Sequence, residues 1–159
     1  MCLVSRKRLI DRINYTVIVI ALVVTAIDAL SKVWARHALA NHAIHVGGGI
    51  WLRLQYNSGI SFSFNQSRML LTTIATIAVA VVVAVVGLNA RRGLPTIGFG
   101  LLIGGGVANV VDRLSASPHR VTDFIALGSF PVFNLADAAI TGGFIVLLVA
   151  ALTGERLLS

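Results

Sequence analysis

Four apolar runs, at about residues 14–33, 69–88, 94–111 and 133–152, dominate the sequence. Each is close to the roughly 20 residues that a helix needs to cross the hydrocarbon core of a bilayer. A spanning segment must satisfy its own backbone N–H and C=O groups, so helices are the natural form. The chain is 57% hydrophobic and only 12% charged, against about 25% charged in a soluble domain. It reads as an all-α integral membrane protein, one domain over residues 1–159, with four transmembrane helices. The first run follows Arg6, Lys7, Arg8 and Arg12 as in a signal peptide. It is too long for that, since such an apolar region has roughly 7–15 residues, and it is read as a retained span.

Four spans put both termini on one side. Arg6, Lys7, Arg8, Arg12 and Arg156 in the tails join Arg91 and Arg92 in the short middle loop. Arg36, Arg53, Arg68 and Arg120 are spread over two longer segments. The density of positive charge places both termini in the cytoplasm. The first outer segment alternates in "IWLRLQYN", with Ile50, Leu52, Leu54 and Tyr56 on one face and Trp51, Arg53, Gln55 and Asn57 on the other. A second alternation in Ser61–Phe64 completes a hairpin turning at Asn57-Ser58-Gly59. This outer β segment, about residues 46–66, is expected to lie on the membrane surface. The second outer segment carries loop signals at Pro118 and Pro131 and is read as irregular.

The net charge of +7 forms no stripe with interleaved aromatics, so nucleic acid is not an expected partner. In a membrane protein this balance reflects topology and anionic lipid. Cys2 is the single cysteine, and His37, His42, His45 and His119 fall in loops without ligand spacing. No metal site and no cofactor are expected.

Only six acidic residues occur, and four of them lie in or beside apolar runs. A charge there is costly and marks a pathway, a partner or a catalyst. Thr25, Asp28 and Lys32 share a face of span one, and Asp28 and Lys32 can pair at i, i+4. That pair reads equally as structural or functional. In span three, Gly100, Gly104 and Ala108 form a ridge for close packing, with Gly105, Asn109 and Asp112 on a neighbouring stripe and Arg113 beside it. Adjacent residues do not face each other, so Asp112 and Arg113 must find other partners. In span four, Asn134, Asp137 and Thr141 share a face, and Gly142 and Gly143 permit close packing. Helix capping accounts for Asn134 or Asp137, but not for both.

These polar groups gather at the outer boundary, and the inner halves of the spans are aliphatic. A small transporter subunit would need polar groups at the midplane. Asp123 and Asp137 flank the turn back into the membrane. If they meet, one carboxyl keeps its proton and the other ionises, and the two titrate as a pair. One can then activate water while the other polarises a carbonyl. Residue types alone leave a non-catalytic membrane scaffold open.

Five blocks carry a resemblance: "DALSK" with Asp28 and Lys32, "NSGISF" with Asn57 and Gly59, "GGGVANVVDR" with Asn109, Asp112 and Arg113, "VTDF" with Asp123, and "FNLADAAI" with Asn134 and Asp137. In this order they resemble the lipoprotein signal peptidases (signal peptidase II), a family of bacterial membrane aspartyl proteases. The resemblance implies a catalytic dyad of Asp123 and Asp137. It implies substrate-binding or supporting roles for Asn57, Gly59, Asn109, Arg113, Asn134, Asp28, Lys32 and Asp112. It further implies prolipoprotein substrates cut just before a diacylglyceryl-modified cysteine, no metal, contact with membrane lipid, and a site on the outer face of the cell membrane. The enzyme is expected to act as a monomer. Ala108 stands where the family usually has glycine, and Ile60 and Ser61 replace small residues.

Overall fold

The computed structural model describes residues 13–57, 66–115 and 120–159, with the side chains of 66–69 left out. The elements are α1 (Tyr15–Ala38), β1 (Ile44–Gly47), β2 (Ile50–Asn57), α2 (Gln66–Gly87), α3 (Leu94–Ser115), β3 (Val121–Leu127) and α4 (Leu135–Leu152). All four helices are long and apolar enough to cross a membrane. The other three bury little of their surface within the protein, whereas 56% of the α3 span is buried. Helix α3 is thus the post around which the bundle is built.

Glycine makes α3 fit. A Cβ at Gly100 would lie 2.7 Å from Ile20 Cβ, and one at Gly104 would lie 2.8 Å from the Ala21 carbonyl oxygen of α1. On its other side, a Cβ at Gly105 would meet the Ala136 carbonyl oxygen of α4 at 2.5 Å. Gly98 and Gly143 face each other at one crossing, where a Cβ on Gly143 would be 2.7 Å from the Gly98 carbonyl oxygen. Lipid offers no hydrophobic drive for helix association, so such close backbone contact supplies much of it. Gly142 meets nothing within 4 Å and plays no part in this packing.

Helices α1 and α3 run further than the apolar runs suggest, to Ala38 and Ser115. The added turns carry Arg36 and Asp112, which find each other across the bundle, and Ala35, which packs on Phe124. His37 therefore belongs to α1 and His45 to β1, where His45 stacks on Trp51 at 4.4 Å. Helix α4 starts at Leu135, because Phe133 is held in a bridge to Ile125 and Asn134 caps the helix.

The strands form one antiparallel sheet in the order β1-β2-β3. Its described hairpin is one that the sequence reading did not include. The turn joins β1 to β2 through Gly47, Gly48 and Gly49, with φ values of 113°, 58° and 80°. Only glycine adopts three such values in succession without strain. The expected second strand at Ser61–Phe64, with its turn at Ser58-Gly59, lies outside the described residues. The second partner of β2, beside β1, is β3, from the segment read as irregular. Gln55 pairs with Asp123, Tyr56 with Thr122 and Asn57 with Val121. Strand β3 lies at the edge of the sheet, yet it shows no polar–apolar alternation because both of its faces are covered. Val121, Thr122, Asp123, Phe124 and Ala126 are all buried. Phe124 joins Ala35 and Leu39 in a small core that seats the sheet on the end of α1.

The glycine contacts predict opposite outcomes at two positions of similar sequence context. Gly105→Ala should lower stability by about 1–3 kcal/mol through overpacking. Gly142→Ala, in open space, should be neutral or stabilising by up to about 1 kcal/mol through helix propensity. Thermal unfolding of both variants in detergent checks this; equal melting temperatures would refute the packing account.

Candidate functional site

Helical spacing delivers the polar residues to one end of the bundle. In α1, Asp28, Lys32 and Arg36 recur every four residues, so they project from one face. Lys32 and Arg36 reach α3, and Asp28 reaches α4. Lys32 Nζ lies 2.7 Å from Asp28 Oδ2 and 3.7 Å from Asp112 Oδ2, and it donates to Asn109 Oδ1 at 2.9 Å. Asp28 Oδ1 accepts the Ala136 N–H of α4 at 2.8 Å. One ion pair on α1 thus binds both neighbouring helices.

Two asparagines connect Asp123 with Asp137. Asn134 Nδ2 donates to Asp123 Oδ1 at 2.6 Å, and Asn109 Nδ2 donates to Asp137 Oδ1 at 2.9 Å. Asn134 Nδ2 also reaches Asn109 Oδ1 at 3.3 Å. Capping, contrary to the sequence expectation, involves both residues at the head of α4. Asn134 Oδ1 accepts the Asp137 N–H at 2.9 Å, and Asp137 Oδ2 accepts the Asn134 N–H at 3.2 Å. This reciprocal capping box fixes Asp137 by its backbone and its side chain together.

Asp123 is fully buried on β3, whereas Asp137 is half-buried. Burial pushes the Asp123 carboxyl from its ordinary 3.8 up to about 6. The hydrogen bond from Asn57 Nδ2 to Asp123 Oδ2, at 2.9 Å, opposes that rise. The neighbouring charge of Asp137 adds to it, while Asn134 and Lys32 pull it back. Arg113 donates to Thr76 Oγ1 of α2 at 3.5 Å and lies within electrostatic reach of Asp137, Asp123 and Asp112. A cleft of about 460 Å³ opens beside Asp137, lined by Asn57, Phe130, Phe133, Ala138 and Thr141 among others.

Nine of the ten candidate residues meet in this constellation, and Gly59 lies outside the described residues. Two contributors were not anticipated. Arg36 Nη1 donates to both Asp112 Oδ1 and Thr122 Oγ1 at 2.9 Å. The Thr122 N–H donates to Asp112 Oδ2 at 2.6 Å. This clasp holds β3 to α1 and α3 one residue before Asp123. Arg36 is legible in the sequence, since it falls one turn after Lys32, although it lies past the end of the apolar run. Thr122 carries no sequence signal. Among the described residues no three His, Cys, Asp or Glu side chains form a group suited to a metal ion.

A family profile described as signal peptidase (SPase) II matches residues 20–153. The chain belongs to the signal peptidase II family. The lipoprotein signal peptidase of Rhodococcus jostii (strain RHA1) is 37% identical over 147 residues, covering 86% of this chain and 72% of that protein. That of Syntrophomonas wolfei is 32% identical over 139 residues, covering 85% of this chain and 92% of its own. Two solved structures, each of a bacterial membrane enzyme, share the fold with TM-scores of 0.73 at 24% and 25% identity. They cover 87% and 86% of this chain, and 88% and 92% of theirs. The signal peptidase II family is thus reached from the profile and from the relatives, and the solved structures add the shared fold.

The clasp yields a prediction. Arg36→Met leaves Asp112 with less compensation and frees the Thr122 hydroxyl. Breaking one partner of such a buried network should cost about 1–3 kcal/mol, and the β3 amides should exchange faster with deuterium. Unchanged exchange at Thr122 and Asp123 would show that the clasp does not hold the strand.

Proposed function

We propose that this membrane peptidase is of the aspartic type, with Asp123 and Asp137 as its catalytic pair. The substrates are prolipoproteins, cut just before their diacylglyceryl-modified cysteine. The observation that carries this reading is the asymmetric linkage of the two carboxyls. One is buried with its pKa raised to about 6; the other is half-buried, faces the cleft and has both oxygens accepting hydrogen bonds. Family membership supports signal-peptide removal, and the location at one end of an apolar bundle suits a bond next to a lipid anchor. The pair lies at the outer membrane face and residues 88–93 on the cytoplasmic side, as the charge distribution suggests.

Asp137 acts as base and Asp123 as acid. Asp137 takes a proton from a water in the cleft as its oxygen attacks the scissile carbonyl carbon. Asp123 gives its proton to the carbonyl oxygen, forming a tetrahedral diol. As the C–N bond breaks, the proton on Asp137 passes to the leaving nitrogen. A diol proton returns to Asp123, restoring the starting state. Asn109 and Asn134 hold the carboxyls in register throughout. Their pre-set orientation is the source of rate, because the groups need not reorganise as charge develops.

Cleavage of a diacylglyceryl-modified prolipoprotein by purified protein tests this. Wild type should cut the lipidated precursor and not the unlipidated one. Asp123→Asn and Asp137→Asn should each lose at least about 10³-fold in kcat while melting like folded protein. Activity retained in either folded variant would remove that residue from the pair.

The pH profile supplies a second test. The working Asp123 is protonated, so kcat/KM should fall as pH rises through about 6. Asn57→Ala removes a hydrogen bond that favours the ionised carboxylate. The pKa then rises and the alkaline limb moves to higher pH. A limb that stays in place, or moves down, would mean that it belongs to another group.

A further inference from the structure

At the end of the bundle opposite Asp123, the loop between α2 and α3 is held in a frame. The Asn14 N–H donates to the Leu88 carbonyl at 2.8 Å, and Asn14 Nδ2 donates to the Ala90 carbonyl at 3.0 Å and to Thr96 Oγ1 at 2.7 Å. The last residues return to the same loop: the Arg91 N–H donates to the Leu157 carbonyl, and the Ser159 N–H to the Asn89 carbonyl, each at 3.0 Å. A cavity of about 470 Å³ opens inside this frame, lined by Asn14, Tyr15, Thr16, Arg91 and Arg92 among others. A second of about 370 Å³ adjoins it, lined by Arg91, Arg92, Gly154, Glu155 and Arg156.

We infer that these neighbouring cavities, which share Arg91 and Arg92, bind the phosphate headgroup of an anionic phospholipid. Arg91 and Arg92 line both cavities, and neither guanidinium, nor that of Arg156, has an ion-pair or side-chain hydrogen-bond partner among the described residues. Glu155 is the one acidic side chain lining either cavity, so the three arginines leave a positive surplus. Guanidinium groups match phosphate oxygens in geometry as well as charge. The bonded frame holds the loop in place before a ligand arrives. Apolar side chains favour a lipid over a free anion: Tyr15, Leu152 and Leu158 are exposed around the same end. There they can meet acyl chains while the arginines take the headgroup. Basic pockets between helices bind acidic headgroups in this way. The site is remote from Asp123 and Asp137 and does not depend on their proposed role.

The test uses the full chain in phosphatidylcholine nanodiscs with a graded fraction of phosphatidylglycerol, reading lipid retained after delipidation by native mass spectrometry. Wild type should retain phosphatidylglycerol in preference to phosphatidylcholine. Arg91→Gln with Arg92→Gln should weaken that retention about 25-fold, from about fivefold for each basic side chain. Arg91→Lys with Arg92→Lys should keep most of it, which separates lost charge from lost folding. Arg53→Gln, on the sheet at the other end, should change nothing. Inorganic phosphate at millimolar concentration should not compete. Equal retention by the double glutamine variant, or displacement by inorganic phosphate, would overturn the lipid site.

Discussion

The Lys32 ammonium sits in a span of the bundle with almost none of its surface exposed. Taking such a charge out of water costs several kcal/mol unless partners replace the lost hydration. Here Asp28, Asn109 and Asp112 replace it, the first two within 3 Å. Each partner has a second obligation. Asp28 accepts a backbone N–H at the head of α4, Asn109 donates to Asp137, and Asp112 receives β3. A lysine that needs three neighbours thereby gathers α3, α4 and the sheet around α1.

The asparagines extend this economy. Asn134 caps α4 with its oxygen and steadies Asp123 with its nitrogen. An amide suits both tasks because it offers an acceptor and a donor on one planar group. A carboxylate in its place would present only acceptors to Asp123, and an alanine would leave both the cap and the carboxyl unserved. Asp137 is likewise a cap as well as a group open to the cleft. Structural and proposed chemical roles are therefore carried by the same atoms, and a substitution at Asn134 cannot separate them.

The helices and the convergence of Asp28, Lys32, Asn109, Asp112, Asn134 and Asp137 were legible in the sequence, because 3.6-residue periodicity assigns each to a face and the runs assign each to an end. The sheet was less legible. Alternation in residues 50–57 marked one strand, but alternation is silent about its partner, and β3 shows none because both sides are covered. The turn went to Asn57-Ser58-Gly59 on residue type, while the three glycines before Ile50 make the turn that is described. Arg36 was misread because its apolar run had ended, although its helix had not.

The pairing of β2 with β3 has a mechanical consequence. Asn57 both belongs to β2 and donates to Asp123, and the two strands pair from Ile50 to Asn57 with one shift of register between Leu52 and Gln55. The hairpin is thus no independent flap. Lifting it away from the bundle would drag or strip the strand that carries Asp123 and so dismantle the constellation it uncovers. Under the proposed function, a bulky lipidated chain gains more by sliding in sideways, past Ala138 and Thr141 along the flank of α4, than by raising the sheet. The sheet then acts as a fixed anvil against which the incoming peptide is set.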